Sequence, residues 1–174
     1  VYNSEQSLRL LVEQLEPVLH RMSLKSYELI FINDASKDGS WAVVESLVAD
    51  KPWIRGINLM RNYGQHNALL CGIRAAQYPL IVTMDDDLQH PPTELPKLVD
   101  KLLQGVDVVY GTPQKEQHGL WRDLASVVTK MALQSAMGAD IARQVSAFRA
   151  FRTQLRDAFS TYSSPYVSID VLLT

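Results

Sequence analysis

The chain has 174 residues, 47% of them hydrophobic and 21% charged, with a formal net charge of -2. Those proportions suit one globular domain with its own core and exclude a globally basic nucleic-acid binder. The single cysteine, Cys71, excludes an internal disulfide framework and fits a cytosolic setting, and no apolar run of about 18 residues or signal peptide is visible.

Val1-Tyr2-Asn3 reads as the exit of a strand, and the chain stops inside the apolar stretch Val171-Leu172-Leu173-Thr174, so both ends read as truncated. Leu8, Leu11, Val12, Leu15, Val18, Leu19 and Met22 recur at helical spacing. They predict a first helix from Ser4, its N-cap, to Met22, bent or broken at Pro17. Tyr27–Ile32 is a near-continuous apolar run, read as a buried parallel strand. The polar turn Asn33–Ser40 follows, then a helix over Trp41–Lys51, a strand over Ile54–Leu59, a helix over Gly64–Gln77 and a strand over Leu80–Met84. A helix over Pro92–Gln104 and a strand over Val106–Tyr110 complete an alternation of strand and helix. That alternation predicts an α/β fold, a mostly parallel sheet covered by helices on both faces. The rhythm then changes: a polar segment Gly111–Gly119, a long helix Leu120–Met137, a strand Arg143–Arg149 and a short helix to Tyr162.

Met84-Asp85-Asp86-Asp87-Leu88-Gln89-His90-Pro91-Pro92 is the most informative stretch. Consecutive carboxylates at a strand's exit repel one another unless positive charge holds them. In extended chain Asp85, Asp87 and Gln89 would point to one side and offer three oxygen ligands to a hard cation, magnesium or manganese. Capping is the alternative reading for any one of the three aspartates. An EF-hand is excluded, because counting from Asp85 puts His90 at the required glycine and Pro96 at the final glutamate. Asp34 is the first polar side chain outside the second strand, where a base or ribose can be held. Asp38 is read as a turn cap. Arg61 and Gly64 follow the third strand: Arg61 can pair with phosphate and Gly64 lets a ligand approach the backbone, the alternative being a plain surface turn. His66 and His90 lack a second ligand at metal spacing and are given polar or capping roles. Arg122 and Ser126, four apart on one helix face, can form a phosphate patch with Lys115 and Lys130, or simply an amphipathic surface. Arg149 either reaches the site or pairs with a carboxylate.

Taken together, Tyr2-Asn3-x-Glu5, Asn33-Asp34-Ala35-Ser36-Lys37-Asp38-Gly39-Ser40, Arg61-Asn62-Tyr63-Gly64 and Asp85–Pro92 resemble family 2 glycosyltransferases of the GT-A fold. The nearest branch is the polyprenyl-phosphate one, with dolichol-phosphate mannose synthase and the undecaprenyl-phosphate sugar transferases. The resemblance implies a single catalytic domain over residues 1–174, with a nucleotide-sugar part over about 1–111 and an acceptor part over about 112–174. It implies that Tyr2, Glu5 and Asp34 hold base and ribose, that Asp85 lies between nucleotide and metal, and that Asp87 and Gln89 ligate the metal. Arg61 and Gly64 join the nucleotide side, as does Asp86, for which a structural role is the alternative. Arg122 and Ser126 match an Arg-x-x-x-Ser phosphate element, and Arg149 matches the arginine of a Phe-Arg element; with Asp87 these are the catalytic candidates. The chain departs from the family's Asp-Asp-Gly/Asn-Ser turn at Asn33 and Ala35, and from its acidic residue before Phe-Arg at Ala147.

The implied reaction is inverting sugar transfer from a UDP- or GDP-sugar to a lipid phosphate for cell-envelope glycans, with Mg2+ or Mn2+, at the cytoplasmic face of the membrane. Membrane contact is expected through segments outside this chain, and no nucleic acid is expected as partner. A sugar hydroxyl is the alternative acceptor and would require a carboxylate base, for which Asp170 is the candidate. A nucleotidyltransferase and a non-catalytic domain are the rival readings.

Overall fold

The computed structural model describes residues 1–111, 147–158, 162 and 169–173. The helix α1 spans Leu8–Arg21, β1 Leu29–Asn33, α2 Ser40–Asp50, β2 Ile54–Asn58, α3 Gln65–Ala75 and β3 Leu80–Thr83. A 3-10 turn at Pro92–Glu94 leads into α4, Leu95–Leu103; β4 is Val108–Tyr110 and β5 Arg149–Arg152. Two short helices follow, α5 at Leu155–Ala158 and α6 at Ile169–Leu172.

The apolar stripe of α1 folds as its spacing requires: Leu8, Leu11, Val12, Leu15, Val18 and Leu19 are all buried. The helix begins later than Ser4, because residues 4–7 form a turn in which Ser4 O accepts from Ser7 N and Leu8 N. It also continues through Pro17 without a break. In α4 the stripe is Leu95, Leu98, Val99 and Leu102, and Pro96 sits in the first turn, where a missing N–H costs nothing.

β1 and β2 pair in parallel, Leu29 opposite Ile54 through Asn33 opposite Asn58. The expected run of successive parallel strands stops there. β5 lies between β3 and β4 and runs antiparallel to both, Thr83 and Tyr110 each opposite Arg149. That strand spans Arg149–Arg152, so Arg149 opens it instead of closing it; residues 143–146 of the expected strand Arg143–Arg149 lie outside the described residues. Alternate residues serve opposite faces. Ala150 joins the core cluster of α1, α2 and α4, and Phe151 joins Leu70, Ile73, Ile81 and Ile169 beneath α3 and α6. The sheet is thus covered on both faces, as an α/β fold requires. β1 and β3 are not hydrogen-bonded to each other. Between them opens a cavity of about 670 Å3 with apolar depths that include Leu15, Ile73 and Val99. At its upper end Val1 makes one parallel rung with β1: its amine donates to Ile32 O (2.9 Å), and its carbonyl accepts from Asp34 N (2.9 Å).

Candidate functional site

The polar turns that leave β1, β2 and β3 converge at the carboxyl ends of those strands, where a nucleotide binds in open α/β sheets. Tyr2, Asp34, Gly64, Asp85 and Asp86 line the mouth of the cavity there, together with Asn62 and Gln65.

Asp34 is buried, and its carboxylate is a brace. One oxygen accepts from Tyr63 N (2.7 Å) and the other from Gly64 N (2.8 Å), which ties β1 to the amino end of α3. Gly64 takes φ 85°, and the space where a Cβ would stand is open. A side chain would be strained there, while a ligand can come close to the backbone. Arg61 lies over the Tyr63 ring, 4.7 Å from its centroid, a cation–π contact that stiffens the same turn.

The 33–40 turn is laced to the N-terminal segment. Glu5 Oε2 accepts from Gly39 N (2.9 Å), Asn3 Oδ1 from Lys37 N (2.8 Å), and Asp38 from Glu5 N, Ser40 N and the Ser40 hydroxyl. The Ser40 hydroxyl holds the Asp38 carboxyl below its ordinary pKa. Asp38 therefore organises the start of α2, the capping role read from the sequence. Ala35 sits at φ 55° in the left-handed region. That conformation costs a non-glycine residue roughly 1–2 kcal/mol, part of which glycine returns through its greater freedom when unfolded. Ala35→Gly is therefore expected to stabilise the fold by about 0.5–1 kcal/mol in urea titration; a loss of stability would contradict the strain.

The acidic segment is not extended. Residues 86–90 bend, Leu88 takes φ 62°, and Asp87 Oδ1 accepts from Gln89 N (3.0 Å). The alternation that was to aim Asp85, Asp87 and Gln89 to one side therefore does not hold. Leu88 packs against the main core, which offsets its strained backbone. Among the described residues no group of three His, Cys, Asp or Glu side chains is arranged to hold a metal. The donor chemistry nevertheless suits a hard cation completed by a ligand's phosphates, since magnesium commonly takes only one or two protein carboxylates. Among the described residues Asp86 Oδ2 is buried without a hydrogen bond.

Asp85 carries the electrostatic load. Burial is the main cause that holds its carboxyl above the ordinary range, with Asp87 and Asp86 adding to it and His90 and Arg149 opposing. Gln65 Nε2 donates to its Oδ1 (2.8 Å). The raised pKa means that the folded state binds more protons than the unfolded one. Stability is therefore lost as pH rises from the usual value of about 3.9 through the folded value. Asp85→Asn is expected to raise the urea midpoint of the metal-free protein at pH 7, and the gain should vanish below pH ~4, where the carboxyl is protonated in both states. An equal gain at both pH values would refute the electrostatic origin.

Arg149 is buried and its Nε donates to Thr83 Oγ1 (3.2 Å). Its charge is among those that oppose the rise in the Asp85 pKa. His90 stacks on Phe148 with centroids 5.2 Å apart, and His66 Nδ1 accepts from Ile169 N (3.3 Å). Arg122 and Ser126, with Lys115 and Lys130, lie outside the described residues, and so does the Asp170 side chain. Gln65 and Thr83 had no part in the site read from sequence. Gln65 carries a local signal, since it follows the Gly64 turn. Thr83 carries none, because its partner is 66 residues away.

The family profile described as Glycosyl transferase family 2 matches residues 1–159. The chain belongs to glycosyltransferase family 2. It is 38% identical over 160 residues to an undecaprenyl-phosphate 4-deoxy-4-formamido-L-arabinose transferase of Aeromonas hydrophila, covering 91% of this chain and 48% of that protein. A protein of the same name from Pectobacterium atrosepticum is 33% identical over 187 residues, covering 99% of this chain and 57% of its own. The chain thus spans about half the length of these relatives. Among solved structures it resembles glucosyl-3-phosphoglycerate synthase from Mycobacterium tuberculosis, crystallised with Mn2+, UDP-glucose and phosphoglyceric acid. The TM-score is 0.66 at 18% identity, over 89% of this chain and 55% of that one, and the likeness is one of fold. This family 2 glycosyltransferase therefore has the GT-A fold, with its acidic segment at the exit of β3.

Proposed function

We propose that this chain is the catalytic part of an inverting glycosyltransferase that moves a sugar from a nucleotide diphosphate sugar to a polyprenyl phosphate. The observation that carries the reading is the convergence of Asp34, Gly64, Asp85 and Asp86 on one cavity mouth at the strand ends. The names of the curated relatives support the lipid-phosphate acceptor.

In this reading residues 1–111 take the donor and residues 112–174 face the acceptor. Tyr2, Glu5 and Asp34 lie toward base and ribose, and Asp34 also keeps the Gly64 backbone at the ligand's side. Arg61 and Gly64 serve the phosphates. Asp85, Asp87 and Gln89 would hold Mg2+ or Mn2+, which when bound neutralises charge developing on the leaving diphosphate. Asp86 stands beside the nucleotide. Arg149 limits the mutual repulsion of the acidic segment, and Arg122 and Ser126 bind phosphate of donor or acceptor. An acceptor phosphate is already an anion, so no general base is required, and the protein's main contribution is to align it with the anomeric carbon. The reaction belongs at the cytoplasmic face of the membrane, reached by surface contact or by segments outside this chain. Among the described residues no helix is long and apolar enough to cross a membrane.

The test is transfer from UDP- and GDP-sugars, with manganese, to a short prenyl phosphate or to sugar hydroxyls. Product with the prenyl phosphate alone is expected. Product with the sugar hydroxyls alone would replace the acceptor, and pyrophosphate release would replace the reaction.

A further inference from the structure

Thr83, the last residue of β3, is buried at 7% exposure, and Arg149, opposite it on β5, at 1%. A hydroxyl has one proton to donate and lone pairs to accept with. Here the proton goes to Ala147 O (2.7 Å), and a lone pair takes the Nε–H of Arg149 (3.2 Å). One side chain thus ties the backbone that leads into β5 to the Nε–H of Arg149. Two residues further along the chain stands Asp85, whose other neighbours in the segment are acidic.

We propose that Thr83 is a positioning residue for the donor site: its hydroxyl holds the Arg149 side chain at the end of β3 from which the Asp85–Asp87 segment leaves. Thr83 acts only through Arg149. Because the donor site is itself a proposal, this inference rests on that reading for its catalytic meaning. The bond between Thr83 and Arg149 stands apart from it.

The decisive comparison is Thr83→Val, which keeps the shape and removes both bonds, against Thr83→Ser, which keeps the hydroxyl. Two measurements are made on each: the exchange protection of the Arg149 Nε–H by NMR without ligand, and the calorimetric affinity for UDP with Mn2+. In the valine variant the Nε–H is expected to lose protection and the affinity to fall by roughly 10- to 100-fold, the range typical of a group that orients ligands from behind. The serine variant is expected to behave as wild type in both. Unchanged affinity in the valine variant overturns the positioning role, and so does a serine variant as impaired as valine, since that would point to packing by the methyl group. Should the valine variant not fold, Arg149→Lys keeps the charge without an Nε–H for Thr83; wild-type affinity there also overturns the proposal. A wild-type protein that does not bind UDP with Mn2+ removes the glycosyltransferase site, and with it the catalytic meaning of Thr83, even if the Nε–H protection behaves as expected.

Discussion

Asp87→Ala is expected to lower metal-dependent sugar transfer by roughly 10²- to 10³-fold, the scale of losing one preorganised electrostatic contact in a transition state. Stability should change little, because Asp87 is exposed and its one described bond is to Gln89 N within its own turn. That bond supplies the control. Asp87→Asn keeps an oxygen acceptor for Gln89 N–H but removes the charge. If Asp87 served only to shape the bend, the asparagine variant would work as wild type. The metal-ligand reading expects asparagine to be impaired almost as much as alanine, because a neutral amide is a poor ligand for a hard divalent cation. Manganese titrations in the presence of UDP measure this directly, and full affinity in the asparagine variant would remove Asp87 from the ligand set.

Asp34→Ala should instead strike stability and binding together. Its two oxygens accept from Tyr63 N and Gly64 N just ahead of α3, and Gly64 N is shared with Asn62 Oδ1 (3.1 Å). Hydrogen bonds to a charged acceptor contribute roughly 1.5–3 kcal/mol each, so the loss should come to about 2–4 kcal/mol once water reaches the site. For a chain of this size that is roughly 5–15 °C of melting temperature. Amide exchange at Tyr63 and Gly64 should accelerate, while the interior of β2 should not change. Asp34→Asn, which retains one acceptor oxygen, should lie between wild type and alanine. If Asp34 faced only a nucleotide, the alanine variant would melt as wild type and fail solely in donor binding.

These two aspartates differ in how far the sequence exposes their roles. Each stands in the polar stretch that follows a short apolar strand, Asp34 as its first charged residue and Asp87 as its third, so the functional edge of the sheet was legible from apolar run and polar break alone. The capping role of Asp38 was legible for the same reason, since its partner Ser40 is two residues away. The metal geometry was not legible. The alternation argument assumed extended backbone through Gln89, but Leu88 turns into the core and takes the left-handed conformation, because burying its side chain outweighs the local preference.

The order of strands and helices from Leu8 to Tyr110 follows from short-range pattern: period-3.6 stripes, continuous apolar runs and the polar turns between them. Packing energies act on those periods directly, so the sequence by itself determined the layers, the α/β class and the acidic exit of β3. Which strand edges meet is decided elsewhere. β5 enters between β3 and β4 and runs antiparallel to both, and that insertion puts Arg149 against Thr83. Gln65 reaches Asp85 and Asp34 reaches Gly64 only once β1, β2 and β3 share one edge. Such contacts join residues from 20 to 66 positions apart. Their free energy depends on the burial and charge that the assembled sheet creates, and no local pattern in the chain encodes it.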